Sequence, residues 1–110
     1  MNAALQSSDY YYSTLAADAE LAELVELFIA ELPDRIHRLT EAAQCSDWEL
    51  VGRIAHQLKG AAGSYGLHAL TPFAARLESA ARGNQSPSEI QAALAEMVDA
   101  CGRVRVGTPS

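Results

Sequence analysis

Apolar residues recur along this chain at steps of three and four residues, and this spacing restricts the fold more than any other feature. It places the apolar side chains on one face of an α-helix. The stripe of the first stretch consists of Leu21, Leu24, Val25, Phe28, Leu32, Ile36, Leu39 and Ala43. Three more stretches have the same spacing, and none of the chain shows the two-residue alternation of a half-buried β-strand. We therefore predict an all-α fold.

Residues that start and stop helices separate the four stretches. Pro33 interrupts the first one, but the apolar phase continues through it, so we predict one kinked helix. Capping boxes are predicted from the spacing in SDWE and SPSE, with Ser46 and Ser86 as the N-caps of the second and fourth helices. Gly66 and Gly83 are expected to end the second and third helices.

The remaining stripes complete the predicted architecture. The second helix is predicted over residues 47–65. The stripe of the third consists of Leu70, Phe73, Ala74, Leu77 and Ala81, and that of the fourth of Ile90, Leu94, Met97, Cys101 and Val104. Four amphipathic helices joined by short loops favour an antiparallel up-down four-helix bundle, which we predict for residues 18–105.

The two ends of the chain are predicted to lie outside the bundle. Residues 1–17 are expected to form a leading segment or a short helix across one end of the bundle. The tyrosines of this segment are expected to plug that end; they are Tyr10, Tyr11 and Tyr12. Residues 106–110 are predicted to be a frayed tail.

The size and charge of the chain exclude several classes of function. Its 110 residues correspond to one domain. A formal net charge of −6 argues against nucleic-acid binding, which requires a basic surface. No apolar run approaches the roughly 18 residues of a membrane span. The N-terminus lacks the features of a signal peptide, so we expect a cytoplasmic protein with no membrane partner.

The cysteines and two of the histidines give no sign of a functional site. Cys45 and Cys101 do not make a disulfide framework, and we expect both to be small, buried and reduced. Neither has a second Cys or His at ligand spacing, so no metal site is predicted. His37 and His68 are predicted to be surface residues.

The predicted second helix is unusually rich in glycine around the third histidine, His56. Four of the seven glycines lie between residues 52 and 66, although each glycine inside a helix costs about 1 kcal/mol relative to alanine. At roughly 100° per residue, the side centred on His56 carries Glu49, Gly52, Arg53, Lys59, Gly60 and Gly63. The opposite side carries Val51, Ile54, Leu58, Ala61, Ala62 and Tyr65. We predict that His56 lies at the centre of the exposed face.

These glycines indicate a surface suited to close approach. They remove side chains that would otherwise screen the imidazole from another protein. Lys59 can direct its ammonium to an anionic group on the ring, and imidazole is a capable nucleophile near neutral pH. The alternative is an idle surface histidine beside glycines that serve helix packing. Packing glycines belong on the buried face, however, so the pattern favours a functional His56.

The sequence around His56 resembles the signature of histidine-containing phosphotransfer (HPt) domains. That signature reads approximately H-x-[LI]-K-G with a further glycine downstream, and the matching residues are His56, Leu58, Lys59, Gly60 and Gly66. The resemblance continues downstream into LTPFAARLESAARG and upstream into LVELFIAELPDRIHRL. It covers about residues 18 to 105.

The resemblance implies a four-helix bundle that carries a phosphoryl group between response-regulator receiver domains and is not itself an enzyme. His56 would be the phospho-acceptor, and Lys59 would stabilise the phosphoryl charge. A receiver aspartate would donate or accept the group, and the receiver would supply Mg²⁺, so this chain is expected to bind no cofactor or metal. The further binding residues are predicted to be Gly52, Arg53, Gln57, Gly60, Gly63 and Glu78.

Two positions depart from the pattern of the family. Ala61 stands where the family often has Ser or Thr, and Glu78 stands where some relatives have Gln. If Glu78 lies beside His56, its carboxylate would orient the ring by accepting from the nitrogen that is not phosphorylated. The alternative is a surface glutamate paired with Arg76 or Arg82, and the sequence leaves both open.

The sequence leaves a second function open as well. A helical docking module could bind a receiver or another signalling partner through the same face without taking up phosphate. A hybrid sensor histidine kinase is a further candidate partner, and the chain could be freestanding or part of such a kinase. No spare apolar stripe requires a dimer, so we expect a monomer. The GAAGSYG stretch lacks the spacing of a P-loop, so no ATP site is predicted.

Overall fold

The computed structural model describes residues 10–83 and 85–109. Within these ranges the chain forms four α-helices: α1 (Ala22–Gln44), α2 (Trp48–Ser64), α3 (Thr71–Arg82) and α4 (Pro87–Gly102). A short 3-10 helix, His68–Leu70, leads into α3. The predicted all-α four-helix bundle is confirmed. None of the helices in the described ranges is long and apolar enough to cross a membrane.

Helix α1 is one continuous helix through Pro33, which confirms the prediction of a single helix. The proline ring removes one backbone hydrogen bond, but Pro33 is exposed while the apolar face stays in phase on both sides of it. The buried residues of this face are Val25, Phe28, Leu32, Leu39, Ala42 and Ala43. The prediction that Leu24 belongs to the buried stripe is wrong: it is exposed, because burial on α1 follows the neighbouring row that begins with Val25.

The start of α2 corrects the predicted N-cap. The cap is Asp47, whose carboxylate accepts from the Leu50 N–H at 3.2 Å. Ser46 lies in the left-handed region, with φ 55°. Its N–H donates to the Ala43 carbonyl and that of Asp47 to the Ala42 carbonyl, which is the Schellman pattern at the end of α1. Ser46 therefore ends α1, and a residue in that conformation cannot also cap α2.

The other predicted helix ends are confirmed. Gly66 follows α2 with φ 74°, and the Leu67 N–H donates to the Ala62 carbonyl at 2.8 Å to close the last turn. Gly83 follows the last residue of α3. Ser86 caps α4 by accepting from the Glu89 N–H at 3.2 Å. Each of these signals is local, so neighbouring helices do not alter it.

The core is one apolar cluster to which all four helices contribute. Its largest fully buried side chains include Leu39, Leu58, Leu67, Leu70, Leu77, Ile90 and Met97. Helices α2 and α3 make the most extensive contact of the helix pairs described, and both bury alanines; these are Ala55, Ala62, Ala74 and Ala81. This contact brings polar side chains of α3 within reach of those on α2.

The described part of the N-terminal segment forms turns and crosses the bundle end. Tyr11 pairs with Val104 in an isolated parallel bridge, its N–H donating to the Arg103 carbonyl at 2.8 Å. Ser13 donates through its hydroxyl to the Tyr65 carbonyl at 2.5 Å. The segment therefore links the ends of α4 and α2. The predicted boundaries at residues 1–17 and 106–110 fall partly outside the described residues, which exclude 1–9 and 110.

The two cysteines differ in environment. The prediction that both are buried is wrong for Cys45, which is exposed. Cys45 is the C-cap of α1, where the chain turns away from the core. Cys101 is largely buried on α4, and burial raises the pKa of its thiol to about 12.

Candidate functional site

The imidazole of His56 projects from α2 into solvent. Its side chain is 58% exposed, while Ala55 and Leu58 on the same helix are fully buried. The ring is nevertheless held in place, because its Nδ1 lies 2.9 Å from Oε2 of Glu78 on α3. The structure thus places His56 at the edge of the contact between α2 and α3.

Glu78 is the centre of a charged cluster, which we call the Glu78 cluster: His56, Lys59, Glu78 and Arg82. The residue is only 9% exposed. Its Oε1 lies 2.8 Å from the Lys59 ammonium, and its Oε2 accepts from Arg82 Nη1 at 2.6 Å in addition to its contact with His56. Glu78 therefore lies beside His56 and also pairs with Arg82, but it is buried and is not the surface glutamate of the alternative interpretation. Arg76 instead pairs with Glu96 on α4.

Lys59 and His56 favour the ionised form of the Glu78 carboxyl. The hydrogen bond from Lys59 is the main cause that lowers its pKa below the usual 4.5, and the contact with His56 acts in the same direction. Burial opposes them without reversing the outcome. An ionised carboxylate only accepts hydrogen bonds. The proton of a neutral His56 ring therefore belongs on Nδ1, which leaves the lone pair of Nε2 as the nucleophile.

The predicted site glycines divide into two kinds. Gly60 is exposed and Gly63 half-buried, and a Cβ added at either would meet nothing within 4 Å. The prediction that Gly52 shares this exposed face is wrong, because it is buried against α3. A Cβ there would lie 3.0 Å from Cγ of Arg82 and 3.6 Å from Cβ of Ala81. A helical wheel gives directions around one helix, but it does not show how far a neighbouring helix covers that face.

The other predicted residues lie around the cluster. Arg53 and Gln57 are exposed on α2. Arg53 and Arg82 line an open groove of about 430 Å³. His37 is exposed and pairs with Glu41 on its own helix, and His68 is exposed at the start of the 3-10 helix.

Arg82 is the member of the cluster that the sequence interpretation did not assign to the site. It appeared there only as a possible ion-pair partner in the case where Glu78 had no role at His56. The available signal was its position four residues after Glu78, where two side chains share one helix face. That spacing predicts the pair, but the shared contact with His56 depends on the distance between α2 and α3.

The fold and this cluster define a class of protein: a helical bundle in which a buried carboxylate fixes the ring of a solvent-exposed histidine. A family model described as Hpt domain matches residues 23–104. The match covers most of the chain, which therefore belongs to the HPt domain family. Domains of this family are phosphocarriers that work with receiver domains in two-component phosphorelays. Comparisons with curated proteins and with solved structures gave no match.

Proposed function

We propose that this chain accepts a phosphoryl group on His56 from a receiver-domain aspartate and passes it to an aspartate of another receiver. The observation that supports this most is the contact of the His56 Nδ1 with a buried, ionised Glu78, on a ring that is otherwise in solvent. It leaves Nε2 accessible and fixes the ring that carries it. The receiver supplies the Mg²⁺ and this chain the nucleophile.

The transfer begins with in-line attack of the Nε2 lone pair on the phosphorus of the aspartyl phosphate. The N–P bond forms as the P–O bond to the aspartate breaks, and the electron pair of that bond leaves with the carboxylate. The proton stays on Nδ1, so the phosphorylated ring carries a positive charge that faces Glu78. Delivery to the next receiver reverses these steps, with a new aspartate as the nucleophile.

Lys59 is the proposed stabiliser of the transferred group. Its ammonium lies 2.8 Å from Oε1 of Glu78. Lys59 follows His56 by about one helical turn on α2. A rotation of its flexible side chain would bring the charge to a phosphoryl group on Nε2. Placing a cation where negative charge develops is the main contribution that a protein makes to phosphoryl transfer.

The proposed docking surface is the exposed part of α2 around His56. Gly60 and Gly63 leave the backbone bare on one side, and Gln57 and Arg53 offer polar groups on the other. A receiver must bring its aspartyl phosphate within bonding distance of Nε2, which side chains at the two glycines would obstruct. Gly52 is covered by Arg82 and is left out of this surface.

Incubation with a phosphorylated receiver domain and Mg²⁺ tests the proposal. We expect a label on this chain that is labile in acid and stable in alkali, as a phosphoramidate bond is. The label should be lost in His56→Gln and retained in His37→Gln and His68→Gln, which change histidines outside the Glu78 cluster. A label that survives His56→Gln would refute the site. Receiver binding without any label would favour the alternative, a docking module that carries no phosphate.

A further inference from the structure

Arg82 binds the same carboxylate oxygen as the His56 ring. Its Nη1 lies 2.6 Å from Oε2 of Glu78, and the His56 Nδ1 lies 2.9 Å from that oxygen. The Arg82 side chain is half-exposed, so burial does not require its charge to be paired with Glu78. Glu78 is nearly buried, so its carboxylate depends on this contact more than the half-exposed Arg82 does.

The backbone of α2 leaves space for the Arg82 side chain at one position, Gly52. A Cβ at Gly52 would lie 3.0 Å from Cγ and 3.3 Å from Nε of Arg82. The stem of Arg82 therefore lies directly against the α2 backbone on its way to Glu78. This gives the buried glycine a role that differs from that of the exposed Gly60: it accommodates a side chain of the neighbouring helix.

The charge of Glu78 explains why a second cation is needed. A carboxylate with little access to water is stable only while cations or donors satisfy it. In this structure Lys59 binds one oxygen, and Arg82 binds the other. In the proposed transfer, however, the Lys59 ammonium leaves Glu78 for the phosphoryl group. Without Arg82, that movement would leave a nearly buried carboxylate with the histidine alone.

We propose that Arg82 is a positioning residue that stays on Glu78 while Lys59 moves to the phosphoryl group, and that Gly52 provides the space for its stem. The inference rests on the proposed function, in which His56 is phosphorylated. Arg82 does not touch the reacting atoms. It acts through Glu78, which keeps the Nδ1 proton of His56 in place while Lys59 is engaged elsewhere.

The first test uses phosphoramidate, a small phosphodonor that needs no docking surface, to phosphorylate His56 directly. We expect Arg82→Gln to slow labelling about tenfold, which is the usual effect of losing a hydrogen bond to a charged group. Arg82→Lys should restore part of the rate. The matched control is Arg76→Gln, which removes an exposed arginine of the same helix that pairs with Glu96. Equal rates in Arg82→Gln and the wild type would overturn the proposal.

A double-mutant cycle tests whether Arg82 acts through Glu78. In a Glu78→Gln background there is no buried charge to satisfy, so Arg82→Gln should cause little further loss. If the two losses simply multiply, Arg82 acts independently of Glu78 and the proposal is wrong. The cycle uses the same phosphoramidate assay and the same Arg76→Gln control in both backgrounds.

A third measurement does not depend on phosphorylation. Titration of the Glu78 carboxyl by ¹³C NMR should show a higher pKa in Arg82→Gln than in the wild type, with no change in Arg76→Gln. An unchanged pKa of Glu78 would overturn the role of Arg82 even if His56 is phosphorylated. Conversely, a wild-type chain that takes no label from phosphoramidate or from a receiver would count against the proposed function, whatever the titration shows.

Discussion

The α2–α3 side of the bundle and its α1–α4 side differ in the chemistry of their side chains. Where α2 meets α3, the helices are in extensive contact and the edge of that contact carries the Glu78 cluster. Between α1 and α4 lies a groove of about 330 Å³. Its lining is apolar or glycine: Ile29, Leu32, Pro33, Ile36, Val98, Cys101, Gly102 and Val104. Charged side chains therefore pair at the α2–α3 edge, whereas apolar side chains line the groove between α1 and α4.

This difference separates the residues that we expect to control phosphoryl transfer from those that we expect to control the stability of the fold. Hydrogen bonds between charged groups depend on distances of a few tenths of an ångström, so the α2–α3 edge requires a close and well-defined helix contact. Apolar contact has no preferred direction and depends mainly on the area that is buried. We therefore expect changes at the Glu78 cluster to alter transfer rates and changes beside the groove to alter the free energy of unfolding.

The largest expected effect tests the apolar side. Leu32→Ala truncates a buried side chain that lines the groove and should lower the free energy of unfolding by about 2–5 kcal/mol, through lost apolar contact and the enlarged cavity. Urea denaturation measures this loss. The rate of His56 phosphorylation, measured under conditions where the variant stays folded, should be unchanged. A slower rate in the folded variant would show that the apolar α1–α4 side also affects phosphorylation of His56.

The next effect tests the charged side. Lys59→Ala should slow transfer from a phosphorylated receiver by about 10²-fold, because it removes a cation from the developing phosphoryl charge. Its helix should remain intact, since the side chain is only partly buried and alanine is a good helix former. Rapid-quench kinetics gives the rate, and circular dichroism checks the fold. Unchanged rates across several receivers would remove Lys59 from the mechanism.

The smallest expected effect compares two glycines on α2. Gly60→Ala meets open space and should stabilise the fold by about 1 kcal/mol through higher helix propensity. Gly52→Ala should gain less, because its Cβ must displace the Arg82 side chain. Of the two, only Gly52→Ala should slow labelling by phosphoramidate. Equal gains in stability and equal rates would show that Gly52 has no special relation to Arg82.

Most local features of the fold could be predicted because each depends on residues close together in the chain. Gly66 ends α2 through its own φ angle, and Ser86 caps α4 through a residue three positions away. The prediction failed at Ser46, where the end of one helix and the start of the next compete for the same residue. A sequence pattern that considers one helix at a time cannot tell whether Ser46 ends α1 or caps α2.

The sequence by itself determined the four α-helices of the bundle, most of their ends and the outward direction of His56, because periodicity and capping are properties of a short stretch of chain. Only the tertiary structure decided that Glu78 binds His56, Lys59 and Arg82 together, and that Gly52 is buried. Those facts depend on the distance between α2 and α3. That distance is set by the packing of side chains from two separate helices, and the local pattern of either helix alone does not contain it.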